Sequence, residues 1–271
     1  ERELEAMEAV SDMNNISSVR YMGIRWKGDD EMIQLIDVKK HYGTIAVGLA
    51  KINAVIQSGE IVGILGENGS GKTTFLKAIM GLTELTEGQV LIEGKPPVEK
   101  YDELSFITEE GSWFPEMTPF EYGEFLSEFF QKFDMNKYNK LLRFFELEPH
   151  KKIRTFSNGQ KSKLEVSAGF SKGARYILMD EPFQGKDMQT RQDFLKLMTS
   201  SLRGKETILI STHQLNEIEN FIDRAIILKY GLVKADFSMD EIREQGKTLA
   251  DIMMEVTGYD KHRYKALFEY N

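Results

Sequence analysis

The sequence predicts an α/β fold in which a mainly parallel sheet is buried between helices and interrupted by a helical insertion. Three observations predict it. Four short apolar runs, at residues 61–65, 176–179, 207–210 and 225–228, are bounded by polar or turn residues, and most alternate with helical patterns. Strands that are apolar along their whole length are buried on both faces, the habit of parallel sheets covered by helices. Directly after Leu65 the period becomes helical: Phe75, Leu76, Ile79 and Met80 share one face, and Gly81 supplies a stop. The long stretch between the first two runs has a different, aromatic texture, so about residues 112–172 read as an inserted helical subdomain.

Along the chain, residues 1–31 come first and show no sustained period. Leu4, Met7 and Val10 fit one face of a short helix, and the segment reads as a mobile or partner-docked extension. Its acidic start, ERELEAMEAVSD, lacks the basic-then-apolar order of a signal peptide. From Met32, MIQLIDVKKHYG sets Ile33, Leu35 and Val38 at the apolar positions of a half-buried strand. In the insertion, FLSEFFQKF puts Phe125, Leu126, Phe129, Phe130 and Phe133 on one helical face, where a core is expected. Neither an internal repeat nor a low-complexity segment is present.

Composition bounds the function. The 271 residues carry a formal net charge of −8, which argues against a general nucleic-acid coat. With no cysteine there is no disulfide, thiolate metal site or cysteine nucleophile. Nothing approaches the roughly 18 consecutive apolar residues of a membrane span, so a soluble chain is expected that serves a membrane only through a partner.

The chemistry begins at Gly66-Glu67-Asn68-Gly69-Ser70-Gly71-Lys72-Thr73, which fits the phosphate-binding P-loop G-x-x-x-x-G-K-[ST] and is followed by Thr74. Its position between an apolar strand and an amphipathic helix is what the mechanism requires. Glycines let backbone N–H groups curl around phosphates, and the positive end of the following helix adds to the attraction. Lys72 is predicted to reach the β and γ phosphates, and the Thr73 hydroxyl to ligate Mg²⁺.

Two companions narrow the class. YILMDEP ends an apolar strand on Asp180, suited to hold Mg²⁺ directly or through water, and Glu181, suited to take a proton from an attacking water. FSNGQKSKLEV sets Ser157, Gly159 and Gln160 before a helical pattern, which read alone is equally an ordinary N-cap or an anion site.

With these residues in register, residues 32–259 resemble the ATP-binding subunit of ABC transporters. FSNGQ is similar to that family's signature motif. By that resemblance Ser157, Asn158, Gly159 and Gln160 form the signature, and Ser157, Gly159 and Gln160 touch the γ-phosphate held by a second subunit. QGKD resembles the D-loop, with Asp187 at the dimer seam. STH resembles the switch motif, with His213 near the γ-phosphate, and HYG resembles the A-loop, with Tyr42 stacked on adenine. The implied fold is a P-loop NTPase with an antiparallel β subdomain near the N-terminus and the insertion as its helical signature subdomain; residues 260–271 remain as a tail.

The resemblance implies ATP and Mg²⁺ as cofactors. It implies a second ATP-binding subunit, with a homodimer expected, and a transmembrane permease as partners, and a place on the cytoplasmic face of the membrane. IDRAIILKYGLVKADFSMDEI and TLADIMMEVTG resemble the ends of subunits paired with separate exporter permeases. The segment SWFPEMTPF, around residues 113–119, suits a socket for a permease helix if exposed and is core if buried. A soluble ABC-type ATPase acting in DNA repair or on the ribosome, and a non-hydrolysing regulatory module, are the alternatives.

Four positions depart from the family pattern, the first being Phe156 where the signature usually has leucine. Asn158 stands where glycine is usual, and Lys186 where leucine is usual. The Q-loop glutamine falls in register on Glu109, with Glu110 as competitor. Glutamine ligates a metal without charge, whereas Glu109 adds a full negative charge beside the nucleotide.

Overall fold

A computed structural model describes residues 32–43, 46–108, 111–186, 188–201 and 206–258. The extension at 1–31, the tail at 260–271, Glu109, Glu110 and Asp187 lie outside them.

The chain opens with β1 (Met32–Tyr42), β2 (Ala46–Gln57) and β3 (Ile61–Leu65), and the loop after β3 leads into α1 (Lys72–Ile79). Next come β4 (Glu87–Ile92), β5 (Leu104–Ile107) and three helices, α2 (Pro119–Phe129), α3 (Met135–Phe144) and α4 (Asn158–Ser171). Then follow β6 (Tyr176–Asp180), α5 (Met188–Ser201), β7 (Thr207–Thr212) and the short α6 (Leu215–Ile218). The described chain ends with β8 (Arg224–Lys229), β9 (Leu232–Ser238), α7 (Met239–Glu244) and α8 (Leu249–Thr257).

These strands form two sheets. A three-stranded antiparallel sheet runs β2-β1-β4, with Ile33 opposite Ile56 and Ile92. A six-stranded sheet runs β5-β6-β7-β3-β8-β9, parallel throughout except for the antiparallel β8–β9 hairpin. Its strands are apolar on both faces because each face has its own core. On β7, Ile208 and Ile210 join a cluster with the α2–α4 residues Tyr122, Leu141 and Leu164, while Leu209 joins one with Phe75 and Ile79 of α1. All four apolar runs are therefore strands, and the mainly parallel sheet with an antiparallel N-terminal partner is as expected.

Local chemistry sets the helix ends. α1 ends where Gly81 takes φ +67°, and Gly81 and Leu82 donate backwards to Ala78 O and Lys77 O, closing the last turn. Thr118 and Glu121 form a capping box at the start of α2, with Pro119 at the first helical position.

The aromatic stripe differs from its expectation. α2 stops at Phe129, Phe130 is its C-cap, and Phe133 lies beyond the helix against Tyr138. The phase set by Thr118 turns Tyr122, Gly123 and Leu126 inward, which leaves Phe125 on the flank and Phe129 67% exposed. Phe125 bridges Phe129 and Phe114, with ring centroids 4.6 and 5.2 Å away. Phe129 thus lies outside the expected core, in a surface cluster with Phe114, itself 46% exposed, while Phe125, Phe130 and Phe133 are partly buried against the core.

Candidate functional site

The parallel strands β3, β7 and β6 lie side by side and point their C-terminal ends the same way, so three separate motifs emerge at one edge of the sheet. β3 delivers the glycine loop, β6 delivers Asp180 and Glu181, and β7 delivers Ser211, Thr212 and then His213. A cleft of about 580 Å³ opens there, within the range of small-ligand sites.

The loop wraps the foot of α1. Gly71 holds φ +109°, and a Cβ there would come within 2.5 Å of Gly48 O, so glycine alone lets the loop pack against β2. Asn68, Gly69, Gly71, Lys72, Thr73 and Thr74 line the cleft. Gly66, Glu67 and Ser70 do not line it: the Lys72 ammonium, only 6% exposed, donates to Gly66 O at 2.9 Å and Glu67 O at 3.2 Å. It also lies 3.2 Å from Glu181 Oε1.

The carboxylates are held from β7. Ser211 pairs with Asp180 in the strand register, and its hydroxyl donates to Asp180 Oδ1 while accepting from the Glu181 backbone N–H at 3.0 Å. A second hydrogen bond, 3.0 Å long, runs from Glu181 N to Ser211 O. Together they hold Glu181 at φ +46°, a left-handed conformation that costs a non-glycine residue energy. That turn aims the carboxylate back over the loop, where His213 Nδ1 lies 3.1 Å from both of its oxygens. At the other end of the cleft Tyr42, 47% exposed, contacts Thr74 Oγ1 through its hydroxyl at 3.3 Å.

These residues fit a nucleotide and a hard cation. The Thr73 hydroxyl donates to Asp180 Oδ1 at 3.1 Å, so a hydroxyl and a carboxylate converge on the cleft, the oxygen donors that Mg²⁺ takes alongside phosphate. Buried Ser70 Oγ has no hydrogen-bond partner, a polar group left over inside the loop. The flat, half-open ring of Tyr42 offers a stacking platform.

The signature residues are not brought to this cleft. Ser157 caps α4, accepting from Gln160 N at 3.2 Å while its own N–H donates to Gln160 Oε1 at 3.0 Å. Ser157, Asn158 and Gly159 are exposed, and none of the four lines the cleft. The N-cap reading is thus met, at a helix tip that lies exposed.

Several residues of the site escaped the sequence reading: Val47, Gly48, Lys77, Thr108 and Gln184 line the cleft, and Ser211 stands beside the carboxylates. Ser211 stood inside STH but holds the Asp180 carboxylate and the Glu181 backbone N–H through its place in the sheet. Gly48 packs against Tyr42, Thr74 and Gly71; a glycine inside a strand pattern is the signal that could have found it.

Comparison with known proteins agrees with this geometry. The ABC transporter family model matches residues 49–184. The ABC transporter ATP-binding protein YtrB of Bacillus subtilis is 32% identical over 202 residues, covering 73% of this chain and 69% of that protein. Nod factor export ATP-binding protein I of Burkholderia lata is 28% identical, covering 85% and 82%, and the nucleoside import ATP-binding protein NupA of Lactococcus lactis is 28% identical, covering 83% and 47%. Among solved structures, an ATP binding subunit of an ABC transporter superposes with a TM-score of 0.75 at 29% identity, covering 83% of this chain and 99% of that one. A dimeric ATP-binding cassette in a post-hydrolysis state bound to ADP and Pi gives 0.68 at 26% identity, covering 76% and 98%. A glycine loop that clasps a buried lysine, two carboxylates steered from a neighbouring strand and this shared fold lead to one conclusion: the chain belongs to the ABC transporter family, as one of its ATP-binding, ATP-hydrolysing subunits.

Proposed function

We propose that two copies of this chain close around two ATP molecules and drive export through a separate membrane permease. The observation that carries the reading is the placement of Glu181, 3.2 Å from Lys72 and 3.1 Å from His213 at the mouth of the glycine loop. Phosphoryl transfer asks a protein mainly for positioning and charge stabilisation. Lys72 and the loop amides bind the phosphates, and Tyr42 stacks on the base. Glu181 accepts a proton from the attacking water, while His213 holds water and γ-phosphate in line. Thr73 and Asp180 would hold Mg²⁺, which when bound offsets the charge on the phosphates. Glu109 is proposed as a further ligand and Asp187 as a seam residue.

Because Ser157 lies exposed on its own helix tip, a second copy's nucleotide is its fitting target. The triphosphate then joins the two copies, and its hydrolysis loosens the seam. The permease is proposed to dock on the aromatic cluster of Phe114, Phe125 and Phe129, which places the subunit at the cytoplasmic face of the membrane. Among the described residues no helix is long and apolar enough to cross a membrane. Export follows the likeness of the C-terminal region to exporter subunits and the relative named for Nod factor export.

A phosphate-release assay on Glu181→Gln tests the catalytic core of the reading. Turnover is expected to fall about 10²–10⁴-fold, the usual contribution of a positioned base, with ATP held in a stable dimer. Near-native turnover removes Glu181 from the role.

A further inference from the structure

Glu165 lies in the second half of α4, 3% exposed, and takes no part in the nucleotide chemistry above. Both of its oxygens grip one residue. The Ser112 backbone N–H donates to Oε2 at 3.0 Å, and the Ser112 hydroxyl lies 3.1 Å from Oε1 and 3.3 Å from Oε2. That hydroxyl is also 2.8 Å from the hydroxyl of Tyr122, fully buried on α2. One turn earlier on α4, Lys161 sets its ammonium 4.8 Å from the centre of the Trp113 ring. Positions 157, 161 and 165 follow the four-residue spacing that shares a helix face. A single stripe of α4 therefore carries the signature serine at its tip and holds two adjacent residues, Ser112 and Trp113, that lead into the aromatic segment.

A purely structural contact would be served by an apolar side chain, since burying a carboxylate is costly. Burial does push the Glu165 carboxyl up from its ordinary value, and the Ser112 backbone hydrogen bond, the Lys172 ammonium and the Ser112 hydroxyl pull it back. What the carboxyl group adds is direction: hydrogen bonds to both the N–H and the O–H of one residue define that residue's position relative to the helix.

We propose that Glu165 is a positioning residue that locks residues 112–113 to α4, so that displacement of the aromatic docking segment is delivered to Ser157. The proposal rests on the reading in which Ser157 meets a second copy's nucleotide. Steady-state hydrolysis by the purified chain, with equilibrium ATP binding and a melting curve on the same samples, tests it. Ser112→Ala and Glu165→Gln are expected to lower kcat about tenfold with ATP affinity held within about twofold. Ser112→Thr keeps the hydroxyl and is expected to restore most of kcat. An unchanged kcat in both variants, or a fall matched by equal losses of ATP affinity and melting temperature, overturns the clamp. Ser157→Ala in parallel separates the two ideas. If it leaves turnover intact, the two-copy reading fails and takes the clamp with it. If it abolishes turnover while Ser112→Ala and Glu165→Gln remain fully active, the clamp alone fails.

Discussion

Lys72 Nζ lies 3.2 Å from Glu181 Oε1, so the cation suited to meet a triphosphate and the carboxylate suited to meet water neutralise one another across the cleft. Both are largely shielded, at 6% and 15% side-chain exposure, where a charge pair is felt more strongly than at an open surface. Phosphate must therefore compete with Glu181 for the ammonium, and a carboxylate beside a γ-phosphate repels it. Glu181→Gln removes both obstacles at once. Its ATP affinity, read by equilibrium binding, is expected to rise above that of the native chain even as phosphate release collapses. A reduced affinity would mean that Glu181 helps hold the nucleotide and does not compete with it.

Tyr42 and Gly48 make a second prediction. A Cβ at Gly48 would come 2.7 Å from Tyr42 Cε2 and 3.0 Å from Thr74 Cγ2. The Tyr42 ring is half-exposed and can swing away, so Gly48→Ala should keep its melting temperature while displacing the stacking surface. Tyr42→Ala removes that surface outright. Base stacking on an aromatic ring is worth about 1–3 kcal/mol, so KM for ATP should rise roughly fivefold to 150-fold in Tyr42→Ala and less in Gly48→Ala. In both, kcat at saturating ATP should hold, because Lys72, Glu181 and His213 are untouched. A fall in kcat with KM unchanged would place Tyr42 elsewhere in the cycle.

The aromatic cluster yields a test of docking. Phe129 is 67% exposed and, among the described residues, has its ring contact with Phe125, so Phe129→Ser leaves the buried Tyr122 and Leu126 face intact. Paired with Phe114→Ser, it should leave basal ATP hydrolysis and the melting temperature unchanged. Retention of the chain on washed membranes of its own cells, measured by fractionation, should be lost. Full retention would move the permease contact to another face.

How far the sequence carried differs from place to place, for physical reasons. The glycine loop and the DE pair are legible because each is contiguous and follows an apolar strand, so a short string carries both chemistry and position. Ser211 was quoted yet missed, because its grip on Asp180 and Glu181 is a product of the parallel register of β6 and β7, which no string contains. The miss at Phe129 is one of phase, set by the Thr118 cap, whereas Phe130 and Phe133 leave the helical face because the helix is shorter than the stripe. No glycine or proline stands between Phe125 and Phe133 to show where α2 ends, and period alone ran the stripe past the real stop at Phe129. Glu165 reads as a solvated mid-helix acid until Ser112 is folded over it.

Glu165 also makes stability depend on pH in a direction that can be worked out. Burial holds its folded-state carboxyl above the ordinary value, against the Ser112 hydrogen bonds and the Lys172 ammonium, with the Tyr122 hydroxyl also facing it. The folded chain thus keeps a proton at a pH where the unfolded chain, with an ordinary glutamate near 4.3, has released it. The contribution to stability is full below that unfolded value and is lost as pH rises through the folded one. Glu165→Gln is similar in shape but does not titrate, so it removes this dependence and leaves the other carboxylates as they were. The melting temperature of the native chain, expressed relative to Glu165→Gln, should therefore climb as pH is lowered through the raised folded value toward the ordinary one near 4.3. Differential scanning calorimetry of the two proteins at matched ionic strength measures that difference directly. A difference that stays flat over this range would show that Glu165 titrates alike in the folded and unfolded chains, and a difference that falls would show its ionised form to be the favoured one in the fold.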